Sequence, residues 1–328
     1  MAGFPTAARG GVLGWRRMPP AVFPPALGLM GLGLAWRKAG ALWGFGPAAG
    51  DMILGAASLI VLFFLLLYLA KIAARPAVLV EDVSVPPARA GVAAGTMALM
   101  LTGAALVPIW PEAARWAVMI GMLMHVAVVL AVAATLVRNP SLVLAAPGTL
   151  HLPFVGLIVA PLALVPLGSV FLAEWIFRIT FPFAVLIWLV EVLRPVGAPR
   201  PAPLRPTMAI HLSPVALFGI VAALLGWQDI AGMFRFLGVV VAALLVAMVL
   251  WKGWLIEAGF SPVWGAFTFP TAAAASLWFT GAGAHEGWKW LATATLIFAS
   301  VLLPWIAVRI WALWPSGRLA DKTAAAVA

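Results

Sequence analysis

Long uncharged apolar stretches alternate with short polar joints along this chain, and ten such stretches can be counted. They run over 18–36, 52–70, 90–111, 116–137, 152–173, 175–193, 212–228, 234–255, 258–284 and 290–308. Each is close to the roughly 17–25 residues that a helix needs to cross a bilayer. The sixth carries Arg178 and Glu191 near its ends, and the eighth has Lys252 near its exit. The pattern predicts an all-α integral membrane protein. It has a tail over 1–17, a ten-helix transmembrane domain over 18–314 and a second tail over 315–328.

The stretches are of two kinds. Odd-numbered ones start at prolines (Pro24/Pro25, Pro86/Pro87, Pro153, Pro214, Pro262) and are rich in Gly and Ala, whereas even-numbered ones are bulkier and end in a basic residue. This is a helical hairpin repeated five times. Ser213-Pro214 and Ser261-Pro262 read as N-cap serines followed by proline at the first helical position. At helical spacing each odd helix shows a stripe of small residues: Gly28 and Gly31; Gly95 and Ala98; Gly156 and Ala160; Gly219 and Ala222. In the ninth, one face runs Pro262, Ala266, Phe269, Ala273 and Ser276, while Phe267 falls on the opposite, bulky face. Small stripes are ordinary packing seams in lipid. Five of them at one repeat position also fit an inner ring of odd helices, because five helices of about 10 Å diameter leave an axial gap of roughly 3–4 Å radius. A lone Phe269 on that face would plug the gap.

Composition agrees with the membrane reading. The 328 residues are 65% hydrophobic and 9% charged, and mean hydropathy is +1.11. The net charge of +10 changes the picture only through its distribution, since 14 of the 20 Lys and Arg fall on the side holding both termini. The positive-inside rule then places both ends in the cytoplasm of a bacterial inner membrane. It also assigns the charge to loops meeting anionic lipid, with no need of nucleic acid. Residues 16–36 read as a first span and not a cleaved leader. Cysteine is absent.

Candidate chemistry is sparse. No nucleotide loop, metal-ligand cluster or nucleophile–base pair appears, which argues against an enzyme and against a cofactor or metal. His125, mid-span in the fourth helix, is expected to bond a backbone carbonyl, and Glu191 to pair with Arg194. His285 is a fourth, scattered histidine. No Lys, Arg, Asp or Glu occupies the middle of an odd helix. The positive ends of five helix dipoles, with Arg89, His151, Arg205 and His211 nearby, would form a cytoplasmic mouth that attracts anions without holding them strongly.

The run WLIEAGFSPVWGAFTFP, together with RPTMAIHLSP (205–214), PPAR (86–89), LHLPFV (150–155) and FPPALGL (23–29), resembles the tellurite-resistance/dicarboxylate transporter family. That family includes bacterial TehA-type proteins, fungal malate and sulfite transporters and plant slow anion channels. The resemblance covers nearly the whole chain. It implies a ten-helix protomer with odd helices lining a pore, assembled as a homotrimer, and a gating phenylalanine at the position of Phe269. Pro270 follows that residue where some relatives have Gly, and the paired Pro24 and Pro25 come early. The long regulatory tails of the plant members have no counterpart. Two readings of function follow: an anion channel or facilitator, or a coupled carrier or exporter of C4-dicarboxylates, sulfite or tellurite.

Overall fold

The structure, a computed structural model, describes residues 14–194, 200–227, 231–283 and 286–328, with the side chains of 231–234 left aside. His285, Arg9 and the ends expected at Gln228 and Ala284 lie outside the described residues. All regular structure there is helical.

The main elements are α1 (Phe23–Trp43), α2 (Ala48–Ala74), a short α3 (Ala77–Ser84), α4 (Pro86–Leu106) and α5 (Pro111–Arg138). A broken segment, Pro147–Leu164, follows, and then α6 (Val170–Val192). Next come α7 (Leu212–Leu224), α8 (Ala231–Leu250), α9 (Thr268–Gly281), α10 (Glu286–Trp311) and α11 (Arg318–Thr323). Among the described residues, seven helical stretches are long and apolar enough to cross a membrane. In chain order α1 precedes them, and α8 and α9 stand between the last two.

Burial divides the elements by composition. Among the seven, Pro86–Leu106, Pro147–Leu164 and Ala202–Leu224 are 94%, 78% and 83% buried, whereas α2, α5, α6 and α10 are 33%, 28%, 28% and 33% buried. The Gly- and Ala-rich stretches are therefore inside. The bulky ones turn Leu59, Leu66, Leu123, Leu130, Phe171 and Val301 outward, as a lipid-facing surface requires. Each inner segment packs on the outer one that follows it. Among themselves, α1 meets α4 and α9, α4 and α7 both meet the broken segment, and α7 meets α9.

The inner segment at α4 begins at Pro86 and the lead-in to α9 at Pro262, as expected, whereas the segments expected from Pro153 and Pro214 begin earlier and less regularly. A 3₁₀ stretch, Ala202–His211, runs directly into α7, so Ser213 sits inside the helix and not at its cap. Ser261 is the extended residue before Pro262, as expected, but its side chain makes no cap bond. The 3₁₀ stretch Pro262–Phe267 leads into α9. In Pro147–Leu164, Pro153 and Pro161 each remove an N–H donor, and the segment alternates 3₁₀ and α turns instead of forming one helix to 173. His125 repairs one break. Its Nε2 lies 2.9 Å from the Pro153 carbonyl, and Nδ1 lies 2.7 Å from Thr96 Oγ1. It is a satisfied core residue.

The C-terminal end is tied to this framework by a buried charge pair. Lys71 Nζ reaches Asp82 Oδ2 at 2.8 Å and donates to the Met18 carbonyl at 2.9 Å, and the Tyr68 hydroxyl donates to the same carboxylate oxygen. The other oxygen accepts the backbone N–H of Ala326 at 2.9 Å.

Candidate functional site: a cavity among the inner segments

A cavity of ≈ 70 Å³ lies where α1, α4, the broken segment, α7 and α9 begin. The lining residues furthest along each segment are Leu27, Met97, Ile158 and Leu217 and, on α9, the neighbours Phe269 and Pro270. The floor is thus apolar and made of large side chains, in contrast to the expected tube of small ones. At the opposite end, α11 packs on Pro262–Phe267, and Thr323 borders the cavity. Arg17 is ion-paired with Asp321 of α11.

No carboxylate borders the cavity among the described residues, and His151 is its one titratable lining group. His151 Nε2 lies 2.9 Å from His211 Nδ1, and His211 Nε2 lies 3.7 Å from Glu191 Oε2. The Arg200 guanidinium donates to the other Glu191 oxygen at 2.6 Å. Glu191, expected to pair with Arg194, pairs with Arg200 and has His211 as a near neighbour. A polar line runs from the cavity wall to the edge of the protein.

Of the residues the sequence pointed to, Gly156, Ala266, Phe269 and His151 border the cavity. Gly28, Gly31, Gly95 and Gly219 face neighbouring segments. A Cβ on Gly28 would stand 2.4 Å from Thr268 Cβ, and one on Gly219 would stand 2.5 Å from Leu277 Cδ1. Gly31 faces the Phe269 ring and Gly95 the Phe23 ring. Ala98, Ala160, Ala222, Ala273 and Ser276 are buried beyond or beside the cavity without bordering it. Phe267 is buried too, edge-on to Trp264, and does not border it.

The basic residues divide in the same way. His211 stands behind His151. Arg205 pairs with Glu257 and lies over the Trp254 ring, away from the cavity. Arg89 is fully buried, its Nη2 donating to the Leu142 carbonyl at 2.8 Å and its Nε to Thr149 Oγ1 at 3.2 Å, with Nη1 unbonded. One cation escaped the sequence reading. Lys38, beyond the expected end of the first span, lies in the last turns of α1 and donates to Thr280 Oγ1 at 2.8 Å, on the face of α9 that carries Phe269 and Ser276. The continuation of α1 to Trp43 was the missing signal.

A family model described as voltage-dependent anion channel matches residues 17–311, most of the chain, and the chain belongs to that family. No curated protein matches it. The motif resemblance is thereby shown, and with it anion transport in general.

Proposed function

We propose that this member of the voltage-dependent anion channel family is a channel or facilitator for small anions, with the cavity as one end of its path and Phe269 as the principal gate. The observation that carries the reading is the floor, to which each of five segments contributes a large apolar side chain, in a cavity lined by no carboxylate among the described residues. Such a floor opposes ions by excluding water, so removing its largest ring relieves the barrier. The contacts among the inner segments support a closed ring of five, each backed by an outer helix, which gives ten spans in five hairpins. The positive ends of the inner segments favour anions over cations at the mouth.

The proposal includes an inner-membrane location with both ends cytoplasmic, on the basic asymmetry, and a homotrimer, on the resemblance. A coupled carrier of C4-dicarboxylates, sulfite or tellurite is the second reading. What favours it is the histidine pair at the cavity wall, a group able to move a proton with its cargo. Liposomes holding the purified protein separate the two. A channel passes chloride, nitrate, sulfite and malate down their own gradients, faster after Phe269→Ala, without a proton gradient. Transport abolished by collapsing the pH difference would establish the carrier.

A further inference from the structure

We infer that His151 Nδ1 is a proton-dependent anion station, taking up a proton together with a small monovalent anion from the cavity. The inference rests on the reading of the cavity as an anion path.

The tautomers follow from the neighbours. His211 Nε2 faces the Glu191 carboxylate at 3.7 Å, where a ring lone pair would be repelled, so this nitrogen carries a hydrogen. His211 Nδ1 is then the acceptor, and His151 Nε2–H donates to it across 2.9 Å. In the neutral pair this leaves a bare lone pair on His151 Nδ1. That atom is buried, makes no hydrogen bond and belongs to a residue lining the cavity. The ring is held in place by Trp188, whose centroid lies 5.5 Å away and whose indole N–H donates to the His211 carbonyl.

Nearby hydroxyls offer an anion little. Thr149 and Thr207 donate theirs to the carbonyls of Ala146 and Leu204. Ser213 borders the cavity with a hydroxyl that makes no side-chain hydrogen bond among the described residues. With the pair neutral, the few polar groups of this largely apolar wall present mainly lone pairs, which repel an anion. A proton on Nδ1 turns the lone pair into a charged donor in the cavity that Ser213 also lines.

The surrounding charges decide that proton and anion come together. Glu191 on α6 favours a proton on the pair through His211. Arg89 of α4, held on Thr149, opposes it, as do Arg200 before α7 and Arg194 after α6, while the charge of Arg205 is offset by its partner Glu257. His125 of α5 has both nitrogens bonded and does not border the cavity. Across the mouth, Asp321 of α11 is paired with Arg17, and Lys322 is exposed. In an empty cavity the cations outnumber the acid, and protonation is disfavoured. An anion in the cavity reverses that balance, so each ligand raises the affinity for the other by the same factor.

The test uses nitrate efflux from liposomes holding the Phe269→Ala protein, at about pH 5.5 and about pH 7.5, the range in which histidine titrates. Flux should rise roughly tenfold on acidification, a coupling of ordinary size. Adding His151→Phe should remove the acid-stimulated part of the flux, so that the ratio between the two pH values falls to about one, while His125→Gln should retain the response. Flux that is flat with pH, or a response unchanged by His151→Phe, would overturn the station while leaving the anion path intact. Absence of flux at every pH would instead overturn the anion path. In that event, and whenever the variant fails to fold, ring-¹⁵N NMR of histidine in the unmodified protein decides the station. Saturating nitrate should raise the His151 midpoint by about one pH unit, equivalent to tenfold tighter proton binding. A midpoint that nitrate does not move would refute it.

Discussion

Gly31 lies directly against the ring of Phe269: a Cβ built on the glycine would stand 3.0 Å from the ring's Cδ2 and 3.1 Å from Ala272 Cβ. The ring that forms part of the cavity floor is thus held from behind by a residue of α1 that has no side chain. Gly31→Ala should destabilise the protein by about 1–3 kcal/mol through overpacking. The cost should fall by at least about 0.5 kcal/mol when Phe269→Ala is also present, because residues in contact are not additive. Thermal denaturation in detergent of the two single variants and the double variant measures the coupling. Strict additivity would show that the ring moves freely past Gly31.

Phe269→Ala should raise anion flux severalfold, and Phe267→Ala should not. Phe267 is buried edge-on to Trp264 and does not border the cavity, so its truncation removes packing worth about 3–5 kcal/mol without widening the path. Equal flux in the two variants would refute the gate.

The floor has four other members, so Phe269→Ala should open it only in part. Met97→Ala or Leu217→Ala, added to Phe269→Ala, should raise flux further, while either alone should leave the ring in place and flux low. Stopped-flow measurement of iodide entry into liposomes resolves the series. No additional effect from either would mean that Phe269 is the whole barrier.

Lys71→Met should be among the most damaging substitutions outside the cavity. It leaves the Asp82 carboxylate, which like Lys71 has no exposed side-chain surface, without its cation. Breaking a buried pair in this way costs about 3–5 kcal/mol. Because Asp82 also accepts the Ala326 N–H, proteolysis after Gly317 should become faster in the variant. Unchanged melting temperature and cleavage rate would show that the pair does not hold the segment.

A fluorescent reporter that matures only in the cytoplasm, fused after Ala328, should fluoresce, since the basic residues cluster on the side of both ends. A dark fusion together with an active periplasmic reporter would reverse the orientation.

Much of this architecture was legible in the sequence. The apolar stretches are fixed by bilayer thickness, which acts on each segment separately. The division into inner Gly/Ala-rich and outer bulky elements is equally local, because a helix surrounded by helices needs small side chains and one facing lipid does not. The opposite directions of Phe267 and Phe269 follow from helical spacing, although a 3₁₀ turn replaces α geometry just before them. Within an inner helix, however, a seam and a lumen ask for the same small residues at the same spacing. Only packing decided that Gly28, Gly95 and Gly219 touch neighbouring helices while Leu27, Met97 and Leu217 border the cavity. Tertiary structure also decided the fates of the polar groups. His151 and His211 are sixty residues apart and meet at 2.9 Å. Arg89 is sealed between Thr149 and Leu142, and Lys38 reaches across to Thr280. Sequence periodicity names the face on which a side chain starts. Which neighbour lies opposite that face depends on how separate segments close around one another, and no single segment carries that information.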